Sequence, residues 1–272
     1  MRHFILFFAF LWATHAGYTQ NIRYETIENI SYVNENEVAS DYAKEQCKLD
    51  IHYPTSGENK PIVLWFHGGG LTGGKKEIPT FLKEKELVIV GVGYRLAPNV
   101  KVEDIIRDAA KATSFVVQNA DRYRGDTSNV FISGHSAGGY LALMLSLNKT
   151  YLEAEGFDAD KLAGIIPFSA QTITHFTARK EQGIKEEQPI INELAPLFWV
   201  RKNAPPITLL TGDRELEMLG RYEENAYLKR MLSIVGHKHV KLLEFQGYNH
   251  GMVYPGLPVL IEEIGRLVKE RR

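Results

Sequence analysis

Short runs of β-branched and aliphatic residues alternate along this chain with longer segments whose apolar positions recur at helical spacing. That alternation constrains the fold class more than any other feature. Ile62–Phe66, Leu87–Val92, Val130–Ser133, Gly164–Phe168, Ile207–Leu210 and Val240–Phe245 read as strands. Residues 102–120 place Val102, Ile105, Ile106, Ala109, Ala112, Val116 and Val117 on a helical face. A second helical run extends to Leu147, and others are expected near 221–234 and 257–269. Residues 22–53 add short β-like runs with Asn-rich turns, ending in the alternating stretch Lys48–Tyr53. Strands this apolar are buried on both faces, so the expected architecture is α/β, a mostly parallel sheet with helices on both sides. Ligands of such sheets collect beyond the carboxyl ends of the strands. The residues just after each strand are therefore where chemistry is to be sought.

The first residues stand apart from this pattern. Arg2 and His3 lead into an apolar run from Phe4 to Ala13, followed by the small residues Thr14 and Ala16. This reads as a secretory signal peptide over residues 1–16, cleaved after Ala16. The run is shorter than the roughly 20 apolar residues of a membrane-spanning helix. No cysteine lies at the junction for lipid attachment. Residues 17–272 are then expected to form one domain outside the cytoplasm, secreted or periplasmic, without stable membrane insertion. Cys47 is the single cysteine, which excludes an intramolecular disulfide and a cysteine-based zinc site. Lys and Arg number 32 against 33 Asp and Glu. Removing Arg2 with the leader takes the formal charge from −1 to −2. A nucleic-acid partner would call for a basic surplus, and none is present. With 44% hydrophobic residues the chain carries enough apolar surface for a folded core.

Gly134-His135-Ser136-Ala137-Gly138-Gly139 follows a strand and precedes a helix. A nucleophilic serine needs such a setting. It must project from a tight strand-to-helix turn, and the glycines permit the strained backbone and close packing. The helix behind it directs free N–H groups and a positive dipole end toward developing negative charge. His67-Gly68-Gly69-Gly70 follows the strand Ile62–Phe66. Consecutive glycines bring backbone donors close to a ligand, so the N–H groups of Gly69, Gly70 and Ala137 are expected to form an oxyanion hole. His67 reads as a hydrogen-bonding structural residue.

The proton acceptor should lie late in the chain, after a strand. His250 does so, in a polar loop following Val240–Phe245, and imidazole titrates close to working pH. A carboxylate orienting it is expected after Ile207–Leu210, where Asp213 and Glu215 are both available. Gln171 and Thr172 follow Gly164–Phe168 and are candidates for substrate contact. Residues 171–205 break the strand–helix alternation and read as a lid insertion. Phe176, Leu197, Phe198 and Trp199 would either line a pocket in it or pack it down.

Two rival patterns are weaker. Gly69-x4-Gly74-Lys75 resembles a phosphate-binding loop, but Lys76 stands where a magnesium-binding Ser or Thr is needed. His237 and His239 lack a third ligand at suitable spacing and read as surface residues entering a strand, so no metal site is expected.

At His67–Gly70, Tyr94-Arg95-Leu96-Ala97-Pro98, Gly134–Gly139 and Gly247-Tyr248-Asn249-His250-Gly251 the sequence resembles the α/β-hydrolase superfamily. Within it, the likeness is to esterases of the hormone-sensitive-lipase-like and bacterial feruloyl/acetyl-xylan-esterase-like groups, over residues 48–268. The resemblance implies an eight-stranded, mostly parallel sheet. It also implies a serine carboxylesterase acting through an acyl-enzyme without cofactor, on a small ester that includes those linked to plant-type carbohydrate. It places the acid three positions past Gly212, which selects Glu215 over Asp213. An amidase, such as an aryl-formamide hydrolase, or a peptidase would use the same triad. A catalytically silent binding module would typically lack the nucleophile, acid or histidine, and candidates for all three are present here.

Overall fold

The computed structural model describes residues 22–33, 40–218 and 220–271. The leader expected over residues 1–16 lies outside them. Eight strands form one sheet: β1 (Tyr24–Ser31), β2 (Lys48–Pro54), β3 (Lys60–Phe66), β4 (Val88–Val92), β5 (Gly125–His135), β6 (Gly164–Phe168), β7 (Ile207–Gly212) and β8 (Val240–Phe245). Their order across the sheet is β1-β2-β4-β3-β5-β6-β7-β8. Strand β2 runs antiparallel to both β1 and β4, and every pairing from β4 to β8 is parallel. This is the mostly parallel, eight-stranded arrangement that the resemblance implied.

The helices are α1 (Asp41–Gln46), α2 (Val102–Gln118), α3 (Ala137–Leu147), α4 (Thr150–Ala154), α5 (Phe176–Glu181), α6 (Arg221–Ile234) and α7 (Val253–Arg271). Alternate side chains of each central strand feed opposite cores, as the two-residue strand period requires. Ile62, Leu64 and Phe66 of β3 join Val130 and Ile132 of β5 in a core shared with α2, α3 and α6. Val63, Trp65 and Phe131 face the other way, onto Leu257, Leu260, Ile264 and Leu267 of α7. Those four α7 positions form one helical stripe.

Helix α7 begins four residues before the apolar spacing indicates. Pro255, Gly256 and Pro258 all fall in its first two turns, and these residues disguise a helix start in the sequence. The helix therefore begins directly after the loop that carries His250.

Helix α3 is buried along its whole length, from Ala137 to Leu147, so it reads as apolar on every side. It lies so close to the end of β3 that a Cβ on Gly138 would strike the Phe66 carbonyl oxygen, and would stand 2.7 Å from that of His67. Strands β3 and β5 are paired through Phe66 and Gly134, which sets the ends of these two strands side by side. The segment after β4 is tied down as well. Arg95 donates from Nε (2.8 Å) and Nη2 (2.6 Å) to Asp108 of α2. Tyr94 donates its hydroxyl proton to the His67 carbonyl at 2.6 Å.

Residues 171–205 contain α5 and a 3-10 turn at Pro196–Trp199. They are fastened to the strand-end face: Thr177 Oγ1 donates to the Gly70 carbonyl (2.5 Å), and Tyr140 of α3 donates to the Leu194 carbonyl (2.9 Å).

The contact at Gly138 is with backbone, which cannot rotate away. Gly138→Ala should therefore destabilise the protein by about 3 kcal/mol or more in denaturant unfolding. Wild-type stability would show that α3 can move away from β3.

Candidate active site

Ser136 occupies the turn between β5 and α3 with φ 54° and ψ −112°, a conformation L-residues seldom adopt. Its N–H donates to the Phe168 carbonyl at the end of β6 (2.8 Å), and its own carbonyl accepts from Tyr140 N–H (3.0 Å). The strained backbone is thus clamped from both sides. The clamp places the hydroxyl at the carboxyl ends of the central strands.

The loop after β3 runs alongside. Gly69 (φ +114°), Gly70 (φ +64°) and Leu71 (φ +62°) are all left-handed, which turns the chain sharply. The Gly69 carbonyl accepts from Thr72 N–H and Gly73 N–H, closing that turn. Among the described residues, the N–H groups of Gly69, Gly70 and Ala137 donate to no protein acceptor. His67 supports the loop. Its Nδ1 donates to the Gly68 carbonyl (2.7 Å), and its ring stacks on Tyr94 at 4.2 Å. Burial lowers its pKa to about 4, so the ring is neutral near neutral pH.

His250 lies in the loop between β8 and α7. Its Nδ1 donates to Glu217 Oε1 at 2.5 Å. The same oxygen accepts from Met218 N–H (2.9 Å), while Oε2 accepts from Ser169 Oγ (2.6 Å) and Gly212 N–H (3.0 Å). Only 1% of the Glu217 side chain is exposed. Burial pushes its pKa up, but the hydrogen bonds from His250, Ser169 and Met218 outweigh it and hold the carboxyl down at about 2.

Neither acid singled out in the sequence meets His250. Asp213 is spent on the backbone of two loops, accepting from Glu215 N–H (3.0 Å) and from Gly247 N–H (2.8 Å). Glu215 is exposed. The reason is a single helical turn. Leu216 N–H and Glu217 N–H both donate to the Asp213 carbonyl, so the chain coils after β7 and brings residue 217 beneath the histidine. Counting positions from Gly212 cannot detect that coil. The available signal was the third acid in Asp213-Arg214-Glu215-Leu216-Glu217, set beside the Asp that typically caps such a turn.

Gln171 and Thr172 are buried, and their polar groups hold the insertion in place. Gln171 Oε1 accepts from Phe176 N–H (3.1 Å). Thr172 donates from N (3.0 Å) and Oγ1 (2.8 Å) to Glu224 of α6. Leu197 is buried, and the Trp199 indole donates to the Glu193 carbonyl (2.8 Å), so both pack the insertion. His237 is buried too, with Nδ1 on the Lys202 carbonyl at 3.0 Å, and is not the surface residue its sequence suggests. Among the described residues no cluster of three or more His, Cys, Asp or Glu could hold a metal, and no helix is long and apolar enough to cross a membrane.

Ser136 and His250 share this strand-end site without a direct hydrogen bond between the hydroxyl and the imidazole. The link between them runs through His135, whose Nε2 donates to the His250 carbonyl (2.8 Å) and whose ring lies 4.7 Å from that of His250. Hydrogen bonds between nucleophile and base are often loose without substrate and tighten when it binds.

The family model BD-FAE matches residues 49–174, which span the oxyanion-loop candidates and Ser136. The chain is 28% identical over 114 residues to an isoprenylcysteine alpha-carbonyl methylesterase of Arabidopsis thaliana, covering 40% of this chain and 27% of that protein. It is 25% identical over 214 residues to esterase LipC of Mycobacterium tuberculosis, covering 70% of this chain and 53% of the relative. The matches thus span between about a quarter and a half of the length of these relatives. Among solved structures, a truncated carbohydrate esterase from gut microbiota superposes with a TM-score of 0.74 at 15% identity, over 89% of this chain and 96% of that one. Esterase B from Lactobacillus rhamnosis superposes at 0.72 with 17% identity, over 91% and 87%. The fold is that of the α/β-hydrolases.

Because the Glu217 pKa is depressed in the folded state, its contribution to stability is full above about 4.5 and is lost as the pH falls toward about 2. Between pH 6 and pH 3, wild type should lose about 2 kcal/mol more unfolding free energy than Glu217→Gln. Parallel pH profiles for the two proteins in urea would contradict the pairing.

Proposed function

We propose that this chain, which has the α/β-hydrolase fold, is a serine carboxylesterase with Ser136 as nucleophile, His250 as base and Glu217 as the orienting acid. The observation that carries this reading is the buried carboxylate of Glu217 on His250 Nδ1, at 2.5 Å, beside a serine held in a strained strand-to-helix turn. The carboxylate fixes the tautomer with Nε2 unprotonated and available, and it stabilises the imidazolium that forms during reaction.

The Ser136 hydroxyl attacks an ester carbonyl as His250 Nε2 takes its proton. The oxygen of the tetrahedral intermediate is held by the N–H groups of Gly69, Gly70 and Ala137. His250 returns the proton to the departing alcohol, leaving an acyl-enzyme. A water deprotonated by His250 then attacks the acyl carbon, and collapse of the second intermediate frees the acid and restores Ser136. These steps close without a cofactor.

Esters of carbohydrate alcohols, acetyl or feruloyl, are the substrate class we favour, supported by the likeness to a carbohydrate esterase and by the near-balanced charge of the chain. The signal-peptide pattern read over residues 1–16 supports export. Residues 171–205 would then act as a lid, a reading supported by the bond from Thr177 to the Gly70 carbonyl.

The test is p-nitrophenyl acetate hydrolysis. Ser136→Ala should fall to background while remaining folded. Glu217→Gln should lose about 10²–10⁴-fold in kcat, as loss of the orienting acid does in other serine triads. Glu215→Gln should stay within about threefold of wild type, since an exposed carboxylate without a contact to the base contributes little to the barrier. Wild-type turnover in Ser136→Ala overturns the reading, and a loss confined to Glu215→Gln moves the acid to that residue. Matched ester and amide substrates with one acyl group, followed by acetylated xylan and feruloyl esters, decide the substrate class.

A further inference from the structure

We propose that His135, the residue immediately before the nucleophile, is a positioning residue that holds the His250 loop at a fixed height over the oxyanion loop. The proposal rests on the assignment of Ser136 and His250 as nucleophile and base. It concerns a side chain that the triad chemistry leaves unused.

The loop between β8 and α7 is poorly anchored by packing. Gln246, Gly247, Tyr248 and Asn249 are all exposed, and His250 itself is half-buried. Asp213 holds the loop's outer part, through its carboxylate to Gly247 N–H and its own N–H to the Tyr248 carbonyl (2.7 Å). Glu217 holds the His250 ring. The backbone at the base itself is reached by His135, whose Nε2–H donates to the His250 carbonyl at 2.8 Å. The two rings lie 4.7 Å apart at 45°.

The opposite side of the His135 ring faces the oxyanion loop. A Cβ built on Gly68 would stand 3.1 Å from His135 Nδ1 and 3.6 Å from Ser136 Cβ. The ring is therefore a spacer between the loop that carries the donors and the loop that carries the base. It is rigidly linked to the nucleophile, because it is the adjacent residue on β5.

The role requires a neutral ring donating from Nε2. Burial, and then the neighbouring His250, lower the His135 pKa to about 4. A neutral spacer also avoids setting a second positive charge beside the imidazolium that His250 becomes in each half-reaction. A hydrophobic residue of similar bulk would fill the space and lose the bond. Glutamine would place an amide N–H near the position of Nε2.

The experiment compares His135→Leu and His135→Gln by p-nitrophenyl acetate kinetics and by hydrogen exchange over residues 246–252, on proteins shown folded by thermal unfolding. In His135→Leu, kcat should fall about 100-fold with KM within about twofold, the loss that a displacement of about 1 Å at a reacting group produces. Exchange over 246–252 should be about tenfold faster, with the rest of the sheet unchanged. His135→Gln should recover most of both. Wild-type kcat and exchange in His135→Leu would overturn the proposal. So would a glutamine variant as impaired as the leucine variant, since the bond would then not be what matters. Exchange does not depend on ester turnover. If wild type hydrolyses no ester, the carboxylesterase reading fails, and the exchange data still decide whether His135 holds the loop.

Discussion

The contact between the start of helix α3 and the end of strand β3 is the constraint on which the candidate site depends. Gly138 lies against the Phe66 and His67 carbonyls with no room for a side chain. This brings the loop at Gly69 and Gly70 next to the turn at Ser136. Two backbone segments far apart in sequence can then present N–H groups to one small volume, which electrostatic stabilisation of an oxyanion requires. The positive φ angles at Gly69, Gly70 and Ser136 are the local cost of that approach. The surrounding core over-determines them, with α3 buried from end to end and the Arg95–Asp108 pair holding the neighbouring segment to α2.

The charged part of the site follows a different logic. A carboxylate in apolar surroundings would normally take up a proton, and Glu217 escapes this because four donors converge on its two oxygens. Those donors come from the loop after β6, the end of β7, its own coil and the loop after β8. The acid is therefore a junction between strand ends. His67 and His135 are kept neutral by burial, so in the proposed reaction the charge is carried by Glu217 and His250.

Much of this was legible in the sequence, and the parts that were not have identifiable causes. Strands β6 and β8 and helix α6 fall where apolar runs and helical spacing place them, because each is bounded by turn residues. Ser136, Gly69 and Gly70 stand out as candidates because tight turns and consecutive glycines leave local signatures, and His250 because it follows the last strand in a polar loop. The position of the carboxylate that meets His250 does not stand out. A one-turn coil after β7 shifts the carboxylate from 215 to 217, and whether such a coil forms is settled by Asp213 capping two loops at once. Helix α7 starts earlier than its composition suggests, because packing against β6 and the sheet overrides Pro258. Gln171 and Thr172 follow a strand, as ligand-binding residues do, yet their partners on α5 and α6 consume their polar groups. The Thr172 partner, Glu224, lies 52 residues on and is brought to it only by folding.

The proposed reaction requires Ser136 to be a nucleophile activated by the His250–Glu217 pair. Reaction with a fluorophosphonate ester followed by peptide mapping in a mass spectrometer tests it most directly, because the reagent captures the activated hydroxyl itself. One adduct per chain is expected, located on Ser136 and formed far more slowly in Glu217→Gln. An unmodified protein, or an adduct on another residue, would contradict it.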